Sequence, residues 1–138
     1  MRSILGVALV LSLVTVWSGR MVTAQEGPTK LDRQGPVTVA VTLMAPAAAG
    51  VPVKVRVSLD THSVALDSVA FDTAVAMRMP DGADIAPVAV EQPAGGGHHR
   101  QAVLVFPPLA QPGSVRIVVR DVGGVAERTF SWALPSAQ

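Results

Sequence analysis

From Gly35 onward, apolar residues recur at every second position rather than every third or fourth. Val37, Val39, Val41 and Leu43 alternate with Thr38, Ala40 and Thr42, which predicts a strand buried on one face. Ala45 to Gly50 breaks this run. Val51 to Leu59 then alternates again, with Pro52 placing its start at a sheet edge or before pairing begins. The middle is less regular. Val64 to Phe71 is apolar but interrupted by Asp67 and Ser68, and Ala74 to Met79 is a candidate strand ended by the turn former Pro80-Asp81-Gly82. Ile85 to Val90 predicts a short strand broken at Pro87, and Pro93 to Gly97 reads as a flexible loop. His98 to Phe106 predicts a further strand, stopped by Pro107-Pro108. Val115, Ile117 and Val119 alternate with arginines and a valine, Gly123-Gly124 centres a hairpin, and Phe130, Trp132 and Leu134 close the pattern.

Seven to eight short strands with turn signals about every 8–12 residues predict an all-β fold, an immunoglobulin-like β-sandwich. The chain contains no cysteine, so such a sandwich would lack the usual disulfide and rely on packing alone. Thiolate metal sites, redox motifs and a cysteine nucleophile are excluded by the same fact.

The N-terminal stretch changes the picture of where this domain works. Arg2, an uncharged apolar run from Ile4 to Trp17, and the small residues of Val22-Thr23-Ala24 form the pattern of a secretory signal peptide over 1–24. The run is about 14 residues long, short of the roughly 20 that span a bilayer. Residues 25–34 are polar and read as a flexible lead-in, and 35–138 as the β-sandwich domain. The expected location is periplasmic or extracellular. A membrane is a partner only if the leader stays uncleaved, an alternative that Arg20 keeps open.

Cleavage after Ala24 would remove Arg2 and Arg20, leaving 9 basic residues of 11 against 10 acidic ones, a net charge of −1. That balance gives no electrostatic basis for binding nucleic acid. No Gly-x-Ser-x-Gly elbow, phosphate loop or dinucleotide fingerprint occurs. Asp60, His62 and Ser63 are too close in sequence to make a triad by themselves. An enzyme is not expected.

The residues best suited to chemistry are the three histidines, all in or beside loops: His62 within Asp60-Thr61-His62-Ser63, and His98-His99 after three glycines. Imidazole is the commonest metal ligand, so His62, His98, His99 and Asp60 form a candidate site for a divalent transition metal, zinc or copper. In an extended chain His98 and His99 would point to opposite faces, so only one could join His62. Asp60 would be an oxygen ligand or would orient a ring N–H. The competing reading is a turn in which Asp60 and Ser63 satisfy backbone N–H groups. Met77 and Met79 suit copper(I) by softness, or a core-facing strand by period. Asp81 and Asp84 read as turn residues. Arg116 and Arg120, with Arg100 and Arg128 nearby, read as a solvated face balanced by Asp121 and Glu127.

The strings Leu59-Asp60-Thr61-His62-Ser63-Val64-Ala65-Leu66 and Gly96-Gly97-His98-His99-Arg100, with Val122-Gly123-Gly124 and Phe130-Ser131-Trp132, resemble a pattern in small exported prokaryotic β-sandwich proteins to which no activity attaches. The resemblance implies that the Asp60–Ser63 turn and the His98–Arg100 segment act together. The architecture is loosely similar to periplasmic copper-resistance sandwich proteins, although a mature chain beginning Gln25-Glu26 lacks their N-terminal histidine. The expected function is therefore an exported, non-enzymatic accessory domain binding a transition metal at a histidine-bearing loop end. The alternative is an interaction or assembly module that uses a strand edge or sheet face to hold a protein partner.

Overall fold

The computed structural model describes residues 28–44, 47–111 and 113–134; the expected signal peptide lies outside the described residues. Two antiparallel sheets face each other. The five-stranded sheet runs β1 (Thr29–Asp32), β2 (Val37–Leu43), β3 (Val53–Thr61), β7 (His99–Phe106) and β6 (Ala89–Gly96). The four-stranded sheet runs β5 (Asp84–Ile85), β4 (Val75–Arg78), β8 (Ser114–Val122) and β9 (Val125–Ala133). One helical turn, α1 (Phe71–Ala74), lies between β3 and β4. The chain is a β-sandwich, with nine strands where seven to eight were expected.

The alternation read from the sequence is the core. Val37, Val39 and Val41 of β2 and Val53, Val55, Val57 and Leu59 of β3 are at most 2% exposed. They face Val115, Ile117 and Val119 of β8 and Phe130 and Trp132 of β9. Each fully buried Val or Leu is worth roughly 1.5–3 kcal/mol, so this two-sided seam substitutes for a disulfide. Met77 and Met79 also belong to the core, the first buried and the second packed against it. Pro52 precedes the first paired residue of β3, so its missing N–H costs no ladder bond.

Three expectations need correction. Within the supposed lead-in, Thr29–Asp32 is strand β1, paired with β2 from Thr29↔Thr42 to Asp32↔Val39. The supposed loop at Pro93–Gly97 is largely the end of β6. A bulge between Glu91 and Ala94, with Gln92 at φ 49°, carries Pro93 without breaking the pairing with β7. His98 is not the start of a strand: Gly97-His98 is the two-residue turn joining Gly96 to its partner His99. With Gly97 at φ 61°, this is the glycine-first hairpin turn. The apolar run Val64–Phe71 forms no strand, because its main chain is captured elsewhere. Leu66 N donates to Gly97 O at 2.8 Å, and Arg100 Nη1 donates to the carbonyls of Leu66 (2.9 Å), Asp67 (3.3 Å) and Val69 (2.5 Å).

Pro87 separates β5 from β6, where the chain crosses from one sheet to the other. At the far end, Gly123 (φ 62°) and Gly124 (φ 75°) form the β8–β9 turn with both central residues left-handed.

Candidate functional site

The register of β3 against β7 places Asp60 directly opposite His99, both exposed on the outer face of the five-stranded sheet. His99 Nδ1 lies 2.5 Å from Asp60 Oδ1. An ionised carboxylate only accepts, so in this contact Nδ1 is the donor and Nε2 is the ring nitrogen left out of it. His62 and His98 sit in neighbouring turns, since Thr61 N donates to His98 O at 3.0 Å. Both are exposed. The structure thus collects the four predicted residues at one end of one sheet, but joins only Asp60 and His99. Among the described residues, no group of three or more histidine and carboxylate side chains is placed to hold a metal ion.

The turn carrying His62 is pinned by Thr61 rather than by Asp60 or Ser63. The buried Thr61 hydroxyl donates to Pro36 O (2.8 Å) and accepts from Ser63 N (3.2 Å) and Val64 N (3.3 Å). Arg100 pairs with the inward-facing Leu59 and lies 5.1 Å from the Phe71 ring. It therefore does not enter the Asp60–His99 contact on the opposite face.

A second set of charges is paired on the other sheet. On the outer face of the four-stranded sheet, Arg78 binds Asp84 (2.8 Å) and Glu127 (2.7 Å), and Arg120 binds the same two carboxylates. The hydrogen bond from Arg78, helped by Arg120, holds the Glu127 carboxyl below its usual value against the opposing effect of burial. Asp81 accepts from Ala83 N at 2.9 Å, as a turn residue does. An apolar groove of about 480 Å³ is lined by Met77, Met79, Pro80 and Leu109. The charged residue on its wall, Arg78, is already committed to Asp84 and Glu127.

Arg116 and Arg120 lie on the outer face of the four-stranded sheet as expected, with Arg120 paired to Glu127, but Arg128 does not join that solvated face. It is 1% exposed and clasps the two sheets together. Nε donates to Asp32 Oδ1 (2.9 Å), Nη1 to Val122 O (2.7 Å), and Nη2 to Gln34 O (2.7 Å) and Val37 O (3.3 Å). Arg128 has the same parity as Phe130 and Trp132, and that signal alone places it inward. Beside it, Trp132 Nε1 donates to Pro28 O at 3.1 Å, and Lys30 Nζ lies 5.9 Å from the Trp132 ring. These contacts lay β1 alongside β9 through side chains. No main-chain ladder joins them.

Four strands end the sheets, and they differ in kind. β1 has four residues and β5 two, while β6 is interrupted by its bulge and Pro93. All of these are ordinary protections against edge pairing. β9 is nine residues long, with no proline and no register break, and among the described residues it pairs only with β8. Alternation along the sequence gives the length of a strand but not its place in a sheet, so this edge was not legible in advance. No protein-family model matches the chain, and no curated protein or solved structure matches it.

Proposed function

We propose that this protein is an exported, non-enzymatic interaction module that takes a partner's extended segment onto the free edge of β9. The observation that carries the reading is the contrast among the four edges, of which β9 is long and regular and, among the described residues, has no main-chain partner on its outer side. An added strand gains main-chain hydrogen bonds along such an edge and specificity from alternate side chains. Arg128 opposes nothing here, because its charge is already buried and bonded. The immunoglobulin-like reading is supported by strand order: β2-β3-β7-β6 against β5-β4-β8-β9 follows the ABED and C′CFG arrangement. Sandwiches of this order are commonly adhesive, an argument from analogy of fold.

In-cell cross-linking tests the proposal. A double variant, Thr129→Lys with Ser131→Lys, places two ammonium groups on exposed positions of β9, which discourages strand addition. It is expected to reduce recovery of the cross-linked partner at least about tenfold, whereas Ser58→Lys on the other sheet leaves recovery unchanged. Equal recovery from the β9 variant overturns the reading.

A second reading is favoured by the Asp60–His99 contact, because metal-binding imidazoles usually give their other N–H to a carboxylate. Under this reading His99 Nε2, oriented by Asp60, holds zinc or copper together with His62 or His98. Titration with Zn²⁺ is then expected to show one site per chain, abolished by His99→Ala and weakened about 10–100-fold by Asp60→Asn. Binding that survives His99→Ala rejects it.

A further inference from the structure

We propose that β9 of one copy pairs antiparallel with β9 of a second copy, about a two-fold axis through Thr129, so that the two four-stranded sheets become one eight-stranded sheet. The proposal rests on the reading of β9 as a docking edge and names its occupant.

Self-pairing of a strand about a two-fold axis makes each residue face a fixed counterpart. An axis through Thr129, the middle of Val125–Ala133, lets all nine residues pair. Thr129 then meets its own copy, a favourable threonine pair. Glu127 meets Ser131 and Val125 meets Ala133 on the outer side; Arg128 meets Phe130 and Ala126 meets Trp132 on the inner side. No two like charges are opposed. Moving the axis to Glu127 or Arg128 would set that residue against itself, which costs stability, and would leave residues at the strand's end without partners. Charge and length therefore select the same register.

The charges at this edge need nothing from the second copy. Glu127 is bonded to Arg78 and Arg120, and Arg128 to Asp32 and three carbonyl groups. Closing the edge strands no charge in a dry interface. The other edges do not offer an equal surface, since β1 and β5 are too short and β6 is bulged.

The chain has no cysteine, so one introduced thiol reports the register directly. In the proposed dimer Thr129→Cys faces its own copy with Cα atoms about 4.5–5.5 Å apart, inside the disulfide range. Ser131→Cys faces Glu127, and the two introduced thiols are offset by four residues, about 13 Å. The experiment uses the chain as its producing cell processes it. Sedimentation equilibrium from about 1 to about 200 µM, the range for a modest interface, is expected to show a monomer–dimer equilibrium. Mild oxidation is expected to give a covalent dimer of Thr129→Cys at least about tenfold faster than of Ser131→Cys, for that geometric reason. A monomeric mass throughout, or equal cross-linking by both variants, overturns the self-pairing. If β9-dependent capture of a different protein then persists, the docking edge stands with another occupant. If capture is also indifferent to β9, both readings fall.

Discussion

Arg128→Met is expected to lower the free energy of unfolding by about 3–5 kcal/mol, the range for removing one member of a buried ion pair. The methionine fills much of the volume but donates nothing. Asp32 loses its cation, and the carbonyls of Val122, Gln34 and Val37 lose a donor. A domain of this size has roughly 5–15 kcal/mol in all, so the loss should be plain in a urea titration. Asp32→Asn should cost less, since it removes the carboxylate's charge and leaves every carbonyl bonded. The double variant should fall short of the sum, because the two residues share one interaction. The pair also makes a statement about pH. Burial pushes the Asp32 carboxyl up, but hydrogen bonds from the Gln34 amide and side chain and from Arg128 together outweigh it, and its pKa lies below the ordinary value. The stabilisation is therefore complete above the unfolded value of about 3.9 and is lost as pH falls through the lower folded value. The difference in stability between wild type and Arg128→Met should narrow as pH drops below about 4. A constant difference would mean that the ion pair contributes only through packing.

The second large effect is expected at Gly95. Its φ of 82° is left-handed, and a Cβ built there would lie 2.2 Å from the His99 carbonyl oxygen and 3.0 Å from its carbon. That neighbour is backbone in a paired strand and cannot swing aside. Gly95→Ala is expected to cost about 3 kcal/mol or more, the left-handed strain of 1–3 kcal/mol plus the displaced ladder. Amide exchange at Gln101 and Arg100 should accelerate by a larger factor than exchange in β2. Gly97 is the internal control. It lies in the same hairpin at φ 61°, with nothing within 4 Å of its would-be Cβ. Gly97→Ala should cost only about 1–2 kcal/mol, the conformational part. Equal costs at the two positions would show that the contact with His99 is relieved without loss.

Most of the framework was legible where one face of a strand is buried and the other wet. β2 begins and ends where its alternation does, at Val37 and Leu43, because a one-residue slip would expose every valine. β6 was not legible. Its glycines and Pro93 have no strand propensity, and the segment is extended because β7 pairs with it along one side. β1 escaped for a similar reason, being held by β2 and by partners near residues 128 and 132. Arg128 was misplaced because charge was given more weight than parity. At the candidate site, the histidines were picked out by residue type, and the structure brought them to one end of the sheet. The specific contact, His99 with Asp60, depends on a register between residues 39 positions apart, which no local spacing encodes. The free edge of β9 depends on the order of strands in the sheet and is equally invisible to local pattern.

The clasp between Asp32 and Arg128 spans 96 positions of the chain. Synthesis and any N-to-C threading deliver Asp32 first and Arg128 almost last. Strand β1 therefore waits, without the clasp that ties it to β9, until nearly the whole domain has emerged. Long-range closure of this kind is slow because the loop entropy is lost before the contact rewards it. The last contact to form should therefore be the one that ties the two sheets together, so the sandwich should close late and as one unit.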